Sequence, residues 1–211
     1  MPDFISGIDI SDFQDVGSFH AVQAGGFGFV VCKATQGTGN VQATFAGNRD
    51  RVRSIGLPFG AYHFLSWISD PAAQAAHFLS VYQPASGDLP PMLDCEACAV
   101  GPPAAIAQVS GFLQAVEPHL NGARMLLYMS FSFPTDHLNG GAMFAGHPLW
   151  VAAYNNDPFS SNIPAPWVGK SPGAKFWQFS DDISVPGIPG GVDGDRFEGT
   201  ADELNALKLQ L

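Results

Sequence analysis

The segment Leu89-Pro-Pro-Met-Leu-Asp-Cys-Glu-Ala97 opens on prolines, continues through apolar residues and ends with two carboxylates two positions apart. In a β-strand alternate side chains share a face, so Asp94 and Glu96 would point one way and Cys95 the other. Crowded acids tend to separate their pKa values, which leaves one protonated and the other ionised. That state suits acid-catalysed cleavage of a glycosidic bond. For this segment alone, an exposed strand end with two solvated acids is an equally good interpretation.

Strands and helices are predicted to alternate on both sides of this segment, which we take as the fourth strand. The other predicted strands cover residues 4–11, 27–34, 59–65, 124–129, 148–154, 175–180 and 192–197. Helices are predicted at residues 18–25, 44–55, 70–82 and 103–120, with a last one opened by the capping-box pattern Thr200-x-x-Glu203. Between residues 155 and 173 we expect a long loop without a clear helix.

This alternation predicts an α/β protein with a parallel sheet. About eight strands in 211 residues imply a single TIM-like barrel whose helical layer is depleted in the C-terminal half. We find no internal repeat and no linker, so residues 1–211 are expected to form one catalytic domain without a separate binding module.

Four acids are expected near the C-terminal strand ends, where such barrels carry their sites. They are Asp9 on the first strand, Asp94 and Glu96 on the fourth, and Asp193 on the eighth. The first and eighth strands are neighbours in a closed barrel, so Asp9 and Asp193 should approach each other.

Composition narrows the classes of partner. The net charge is −10, from 9 basic and 19 acidic residues, and the basic residues form no patch. We therefore expect no nucleic-acid partner and no binding to anionic membranes. No apolar run approaches the roughly 20 residues needed to cross a bilayer, so no membrane insertion is expected.

The amino-terminal sequence Met1-Pro-Asp-Phe4 leads directly into the first strand, without a basic region followed by an apolar region. No signal peptide is therefore expected in this chain. If the protein acts outside the cell, we expect release by lysis, by a holin or by a dedicated secretion device, or a leader that this sequence lacks.

Three cysteines, Cys32, Cys95 and Cys98, cannot all pair within the chain. The Cys95-x-x-Cys98 spacing occurs in redox and zinc sites, but no second Cys or His pair accompanies it. We interpret all three as small buried or incidental thiols. No metal and no cofactor are expected, so a chelator should leave activity intact.

Seven segments together resemble the family-25 glycoside hydrolases, the muramidases typified by fungal and phage lysozymes. They fall in the family's order at compatible spacing and cover almost the whole chain. The segments are Gly7-Ile-Asp-Ile-Ser11, Val31-x-Lys33-Ala-Thr-x-Gly37, Gly60-Ala-Tyr-His-Phe64, Leu93-Asp-x-Glu96, Leu149-Trp-x-Ala-x-Tyr154, Phe176-Trp-Gln-Phe179 and Val192-Asp193-x-x-x-Phe197.

The resemblance implies hydrolysis of the β-1,4 bond from N-acetylmuramic acid to N-acetylglucosamine in bacterial peptidoglycan, by a monomer acting on the cell wall as an endolysin or antimicrobial lysozyme. It implies that Glu96 is the general acid. Asp94 would assist the substrate's own 2-acetamido group, which acts as nucleophile, and configuration would be retained. Asp9 and Asp193 would have supporting roles in charge, hydrogen bonding and substrate positioning.

Aromatic and basic residues on the predicted strands are further candidates for substrate binding. They are Tyr62, Trp150, Tyr154, Trp177 and Lys33. Each aromatic residue could instead belong to the barrel core, although Tyr62 and Tyr154 also match the family motifs. Lys33 could pair with the acids or form an ordinary salt bridge at a strand end.

Three further residues lie on the predicted strands that carry these motifs. His63 should face away from the mouth and be structural, and Gln178 could reach the site or merely satisfy a strand end. Asp195 stands where the family often has Asn, so either Asp193 or Asp195 could face the site; we prefer Asp193.

Two other functions fit the same residues. A hydrolase of another β-1,4-N-acetylhexosamine polymer, such as chitin, would use the same acid pair and acetamido assistance. A non-catalytic peptidoglycan-binding barrel would keep the fold. The presence of all four acids argues against the binding barrel, since a dead copy would be expected to have lost some of them.

Overall fold

The computed structural model describes residues 4–211. Met1–Asp3, on which the expectation about a signal peptide partly rests, lie outside the described residues. The strands are β1 (Phe4–Ile10), β2 (Phe29–Gln36), β3 (Asn40–Val41), β4 (Phe59–Phe64), β5 (Met92–Asp94), β6 (Leu126–Ser130), β7 (Leu149–Ala152), β8 (Ala174–Val185) and β9 (Ile188–Glu198). The helices are α1 (Phe19–Ala24), α2 (Phe45–Ser54), α3 (Pro71–Tyr82), α4 (Pro102–Val116), α5 (Phe133–His137) and α6 (Ala201–Ala206).

Eight of these strands close into a barrel in the order β1-β2-β4-β5-β6-β7-β8-β9, and β9 pairs back onto β1. The two-residue β3 only folds back along the end of β2. The prediction of a single α/β barrel of about eight strands is confirmed.

The expectation of an all-parallel sheet is wrong for the last strand. Strands β1, β2 and β4–β8 run parallel to their neighbours in that set, but β9 is antiparallel to both β8 and β1. The cause is the short connection Pro186-Gly187 between β8 and β9, because a turn of two residues can join only antiparallel strands. Gly187 has φ +88°, the left-handed conformation that such turns require.

The helical layer is complete only over the first half of the barrel, as predicted. Helices α1–α4 connect the strands from β1 to β6, whereas α5 and short 3₁₀ turns cover the second half. Asp70 caps α3 by accepting from the backbone N–H of Ala73 at 2.7 Å, and the Thr200–Glu203 capping box opens α6. No helix in residues 4–211 is both long and apolar enough to span a bilayer.

Two apolar layers follow from the alternation of side chains along the strands. The outer layer packs between the strands and the helices and includes Ile8, Val30, Leu93 and Cys95. The inner layer fills the lower part of the barrel with Phe29, Met92, Leu126, Trp150, Phe176 and Phe197. A Cβ atom at Gly7 would overlap the Phe29 ring, so glycine at this position lets that ring cross the barrel floor. The inner layer thus supports polar side chains at the mouth.

Candidate active site

A pocket of about 280 Å³ opens at the end of the barrel where the parallel strands have their carboxyl ends. Its walls carry acids, aromatic residues and one amide. The lining residues are Asp9, Tyr62, Asp94, Glu96, Tyr128, Trp150, Gln178 and Asp193. The structure therefore brings together all four acids singled out from the sequence.

Asp94 and Glu96 share a face at the end of β5, and Cys95 between them is buried in the outer layer. The backbone here continues the sheet, since the N–H of Leu65 donates to Asp94 O at 3.0 Å and that of Cys95 donates to Tyr128 O at 2.9 Å. The chain then turns away at Ala97, a non-glycine residue with φ +49°. The indole Nε1–H of Trp67 donates to Glu96 O at 2.8 Å and anchors the residue.

The two carboxyls of this pair have different surroundings. Asp94 is buried, and its Oδ1 has no hydrogen-bond partner among residues 4–211. Burial and then the charge of Glu96 raise the pKa of Asp94 well above its usual range. Glu96 is more exposed, and burial raises its pKa while the charge of Lys33 opposes that rise. The pair is therefore biased toward holding a proton.

Asp9 and Asp193 face each other across the seam between β1 and β9, where they are paired in register. The expected approach of these two acids is observed, although Asp193 lies within an antiparallel strand and not at the end of a parallel one. Burial and the charge of Asp193 raise the pKa of Asp9 to about 8. Burial and the charge of Asp181 raise the pKa of Asp193 to about 6.

Asp195 points into the barrel as well, because it lies two residues from Asp193 on the same strand face. Asp193 lines the pocket, whereas Asp195 is fully buried. The Nε1–H of Trp150 donates to Asp195 Oδ1 at 2.9 Å. The two aspartates are therefore not alternatives: one faces the pocket and the other lies in the barrel interior.

Gln178 connects the second acid group to the tyrosines. Its Nε2 donates to Asp9 Oδ2 at 2.7 Å, and its Oε1 accepts from the hydroxyls of Tyr128 and Tyr154. Two O–H donors on Oε1 fix the orientation of the amide, so the NH₂ group must face Asp9. Of the two options left open by the sequence, the structure shows that Gln178 reaches the pocket.

The aromatic candidates separate into two groups. Tyr62 and Trp150 line the pocket, and the half-exposed Tyr154 lines an adjoining cavity that shares Glu96 and Tyr128 with the pocket. Trp177 does not reach the pocket. Because it lies between the inward-facing Phe176 and Gln178, it points outward, where it stacks on Phe159 and donates to Ala153 O at 2.9 Å.

Among residues 4–211, Lys33 forms neither of the ion pairs considered from the sequence. Its Nζ donates to Gln36 Oε1 at 3.0 Å and lies 4.5 Å from the centre of the Phe64 ring. Its charge nevertheless opposes the rise in the pKa values of Asp94 and Glu96 that burial causes. His63 is structural, as expected, since it contacts Thr35 at 2.7 Å in the outer layer. All three cysteines are free thiols.

Two residues of the pocket region were not identified from the sequence. Tyr128 follows Leu126 by two positions on a predicted strand, so strand alternation near its carboxyl end was a usable signal. Trp67 lies on a loop and donates to the backbone carbonyl of Glu96. Loops have no periodic sequence pattern, so no signal in the sequence indicates this contact.

Comparison with known proteins gives a consistent result. The profile of the Glycosyl hydrolases family 25 matches residues 8–188. The autolytic lysozyme of Clostridium acetobutylicum is 32% identical over 195 residues, which cover 92% of this chain and 56% of that protein. Lysozyme M1 of Streptomyces globisporus is 30% identical over 217 residues, covering 96% of this chain and 71% of that protein. The chain thus spans little more than half of the first of these relatives.

Solved structures agree with the sequence comparisons. The bacterial lysozyme from Streptomyces coelicolor superposes with a TM-score of 0.86 at 28% identity, covering 97% of this chain and 96% of that one. The muramidase from Acremonium alcalophilum gives a TM-score of 0.85 at 29% identity, covering 96% of this chain and 98% of that one.

Proposed function

The chain belongs to the family-25 glycosyl hydrolases, and on that basis we propose that it hydrolyses the β-1,4 bond between N-acetylmuramic acid and N-acetylglucosamine in peptidoglycan. Membership makes it a glycoside hydrolase. The muramyl bond is the proposal, because it rests on what the related lysozymes and muramidases are named for.

The observation that carries the proposal is the pair of unlike carboxyls, Asp94 and Glu96, in one pocket. Glycoside hydrolysis with an acid catalyst needs a proton donor near the leaving oxygen and a carboxylate near the anomeric carbon. Glu96 is the more exposed of the two, and burial raises its pKa, which favours the protonated form that a general acid needs. We therefore assign Glu96 as the general acid.

Asp94 is assigned to the substrate's 2-acetamido group. In this scheme the acetamido oxygen attacks the anomeric carbon while Glu96 protonates the leaving oxygen, and Asp94 stabilises the positive oxazolinium ion that forms. Water then opens that ion, so configuration is retained. The unpartnered Oδ1 of Asp94 can accept the acetamido N–H, and a hydrogen bond to the charged form favours ionisation of Asp94 in the complex.

Asp9 and Asp193 support the reaction from the opposite wall. Their raised pKa values indicate that they share protons, so they do not place two full charges beside the substrate. Tyr62, Trp150 and Tyr154 supply aromatic surface for the sugar rings. Because the proposed substrate is peptidoglycan, we propose that the protein acts on the bacterial cell wall.

The test is digestion of purified peptidoglycan beside chitin oligomers, with mass spectrometry of the soluble products and identification of the new reducing-end sugar. N-acetylmuramic acid at that end supports the proposal. N-acetylglucosamine at that end would move the cleavage site, and release from chitin alone would establish the other polymer as substrate. Binding of peptidoglycan without any release would favour the non-catalytic barrel.

A further inference from the structure

We propose that Asp195 is a permanently neutral carboxylic acid whose O–H group donates to Asp9, and that it positions Asp9 for the proposed reaction. The role in catalysis rests on the proposed function, whereas the protonation state of Asp195 does not. A protonated Asp195 resembles Asn, an uncharged side chain that also offers a donor and an acceptor.

The first argument is the unsatisfied oxygen of Asp195. The side chain is fully buried, and its Oδ1 accepts from Trp150 Nε1 at 2.9 Å. Its Oδ2 is also buried, and no N–H or O–H group of residues 4–211 donates to it. An ionised carboxylate would leave that oxygen unpaired away from water, which is costly. A proton on the carboxyl turns the same group into a donor.

The second argument is the acceptor beside it. A hydrogen bond between the carboxyls of Asp195 and Asp9 lowers the pKa of Asp9 and raises the pKa of Asp195, which is the sense expected when Asp195 is the donor. Gln178 already donates to Asp9 Oδ2, and its amide cannot turn over because Tyr128 and Tyr154 both donate to its oxygen. Asp9 is thus held by one donor from β8, and a protonated Asp195 supplies a second donor from β9.

The third argument is charge. The titratable groups that face Asp195 are Asp9 on β1 and Asp193 on its own strand, and the pocket above adds Asp94, Glu96, Tyr62 and Tyr128. No lysine, arginine or histidine in the described part of the chain forms an ion pair with Asp9, Asp193 or Asp195. Three adjacent carboxyls without a cation cannot all ionise. Burial and the charge of Asp9 raise the pKa of Asp195 well above its usual range.

Asp195, the most deeply buried of the three acids, therefore keeps its proton, and the negative charge resides on the acid nearest the solvent. Asp195 donates to Asp9, Asp9 in its protonated form donates to Asp193, and Asp193 at the pocket carries the charge. The trio presents one charge to the substrate in place of three. This ordering depends on a neutral donor at position 195.

The direct test is carbon-13 NMR of protein labelled in its aspartate side chains, with the Asp195 Cγ signal identified by its loss in Asp195→Asn. We expect the shift of a neutral acid at every pH at which the enzyme is active. Asp202→Asn, at an exposed position on α6, identifies the signal of a reference aspartate outside the barrel interior. An Asp195 signal that titrates within the active range would overturn the proposal, whatever the substrate turns out to be.

The catalytic part is tested by a rescue. Asp195→Leu removes the donor and should lower kcat by about tenfold or more, with KM little changed. Asp195→Asn returns an N–H donor without a charge and should recover most of that loss, with the pH profile of the native enzyme. Equal impairment in the Leu and Asn variants would contradict a neutral donor. Absence of peptidoglycan hydrolysis in the native protein would remove the proposed function and leave the NMR result standing.

Discussion

The Nε2 of Gln178 donates to Oδ2 of Asp9 at 2.7 Å, which joins two residues 169 positions apart in the sequence. Gln178 lies on β8 and Asp9 on β1, and β9 separates these strands in the barrel. The bond therefore spans the antiparallel strand that carries Asp193 and Asp195. The geometry of this wall depends on an uncharged amide at position 178.

Replacing Gln178 should impair turnover more than binding. Gln178→Leu leaves Asp9 and the hydroxyls of Tyr128 and Tyr154 without their partner, so we expect kcat to fall by about tenfold or more. Gln178→Glu adds a carboxyl beside Asp9, and its activity relative to native protein should decline as pH rises, because adjacent carboxylates resist joint ionisation.

Steady-state kinetics across pH on soluble glycan fragments would measure both effects. Gln23→Leu, at an exposed position at the end of α1, is the matched control and should behave as native protein. A Gln178→Leu variant with native kcat would show that the amide does not position Asp9.

Asp94→Asn should reduce kcat nearly as much as loss of the general acid, since it removes the charge that stabilises the oxazolinium ion. Asp9→Asn and Asp193→Asn should each cost less, because those acids act at a distance from the reacting bond. The reference variant is Asp202→Asn, at an exposed position on α6, which should keep the native kcat. A larger loss of kcat in Asp9→Asn than in Asp94→Asn would contradict the assignment of Asp94 to the reacting centre and of Asp9 to a supporting role.

Trp67→Phe should lower kcat several-fold, because Glu96 loses the donor that holds its backbone carbonyl, while the stacking on Phe133 is retained. Trp167→Phe removes an equivalent bond, from Trp167 Nε1 to His147 O at 2.9 Å, at a site outside the pocket. Both variants should lose a similar amount of stability, about 1 kcal/mol. Equal kcat values in the two variants would mean that Trp67 has no part in positioning Glu96.

The stability of the protein should depend on the proton held by Asp9. The pKa of Asp9 is about 8 in the folded protein against 3.8 for the unperturbed group, so the native state binds more protons than the unfolded state between those values. This contribution is fully present at low pH and is lost as pH rises through that window. The slope is about 1.4 kcal/mol per pH unit for one proton.

Urea denaturation at a series of pH values would measure this slope. Asn does not titrate, so Asp9→Asn should gain stability relative to native protein as pH rises. Asp15→Asn, at an exposed position, is the matched control for the loss of one carboxyl group. A difference between Asp9→Asn and native protein that stays constant with pH would show that Asp9 holds no extra proton when folded.

Much of the architecture could be predicted because it follows from local patterns. Strand alternation placed Asp94 and Glu96 together and Cys95 outside, and the capping box at Thr200 marked the start of α6. The direction of β9 was missed because the parallel expectation was extended past Pro186-Gly187, although that short turn excludes a crossover. The outward position of Trp177 was missed because strand alternation was not applied to it. Trp177 is adjacent to Gln178 on the strand, so the two side chains point to opposite faces.

Other features depend on contacts that sequence periodicity does not encode. The two bonds that orient Gln178 come from Tyr128 and Tyr154 on different strands, and their registry is set only when the barrel closes. The neutral state of Asp195 depends on Trp150 and Asp9, which are far away in the chain. Sequence alone identified the acids but could not rank them by depth.

The central claim is that Glu96 protonates the leaving oxygen of the muramyl bond, and Glu96→Gln tests it most directly. Native protein should release fragments with N-acetylmuramic acid at the reducing end from purified peptidoglycan. The variant should release them at a rate lower by about a hundredfold to ten-thousandfold, the usual contribution of a general acid, while still sedimenting with the insoluble substrate. Glu198→Gln, outside the pocket, is the control. Release by Glu96→Gln at the native rate would contradict the account.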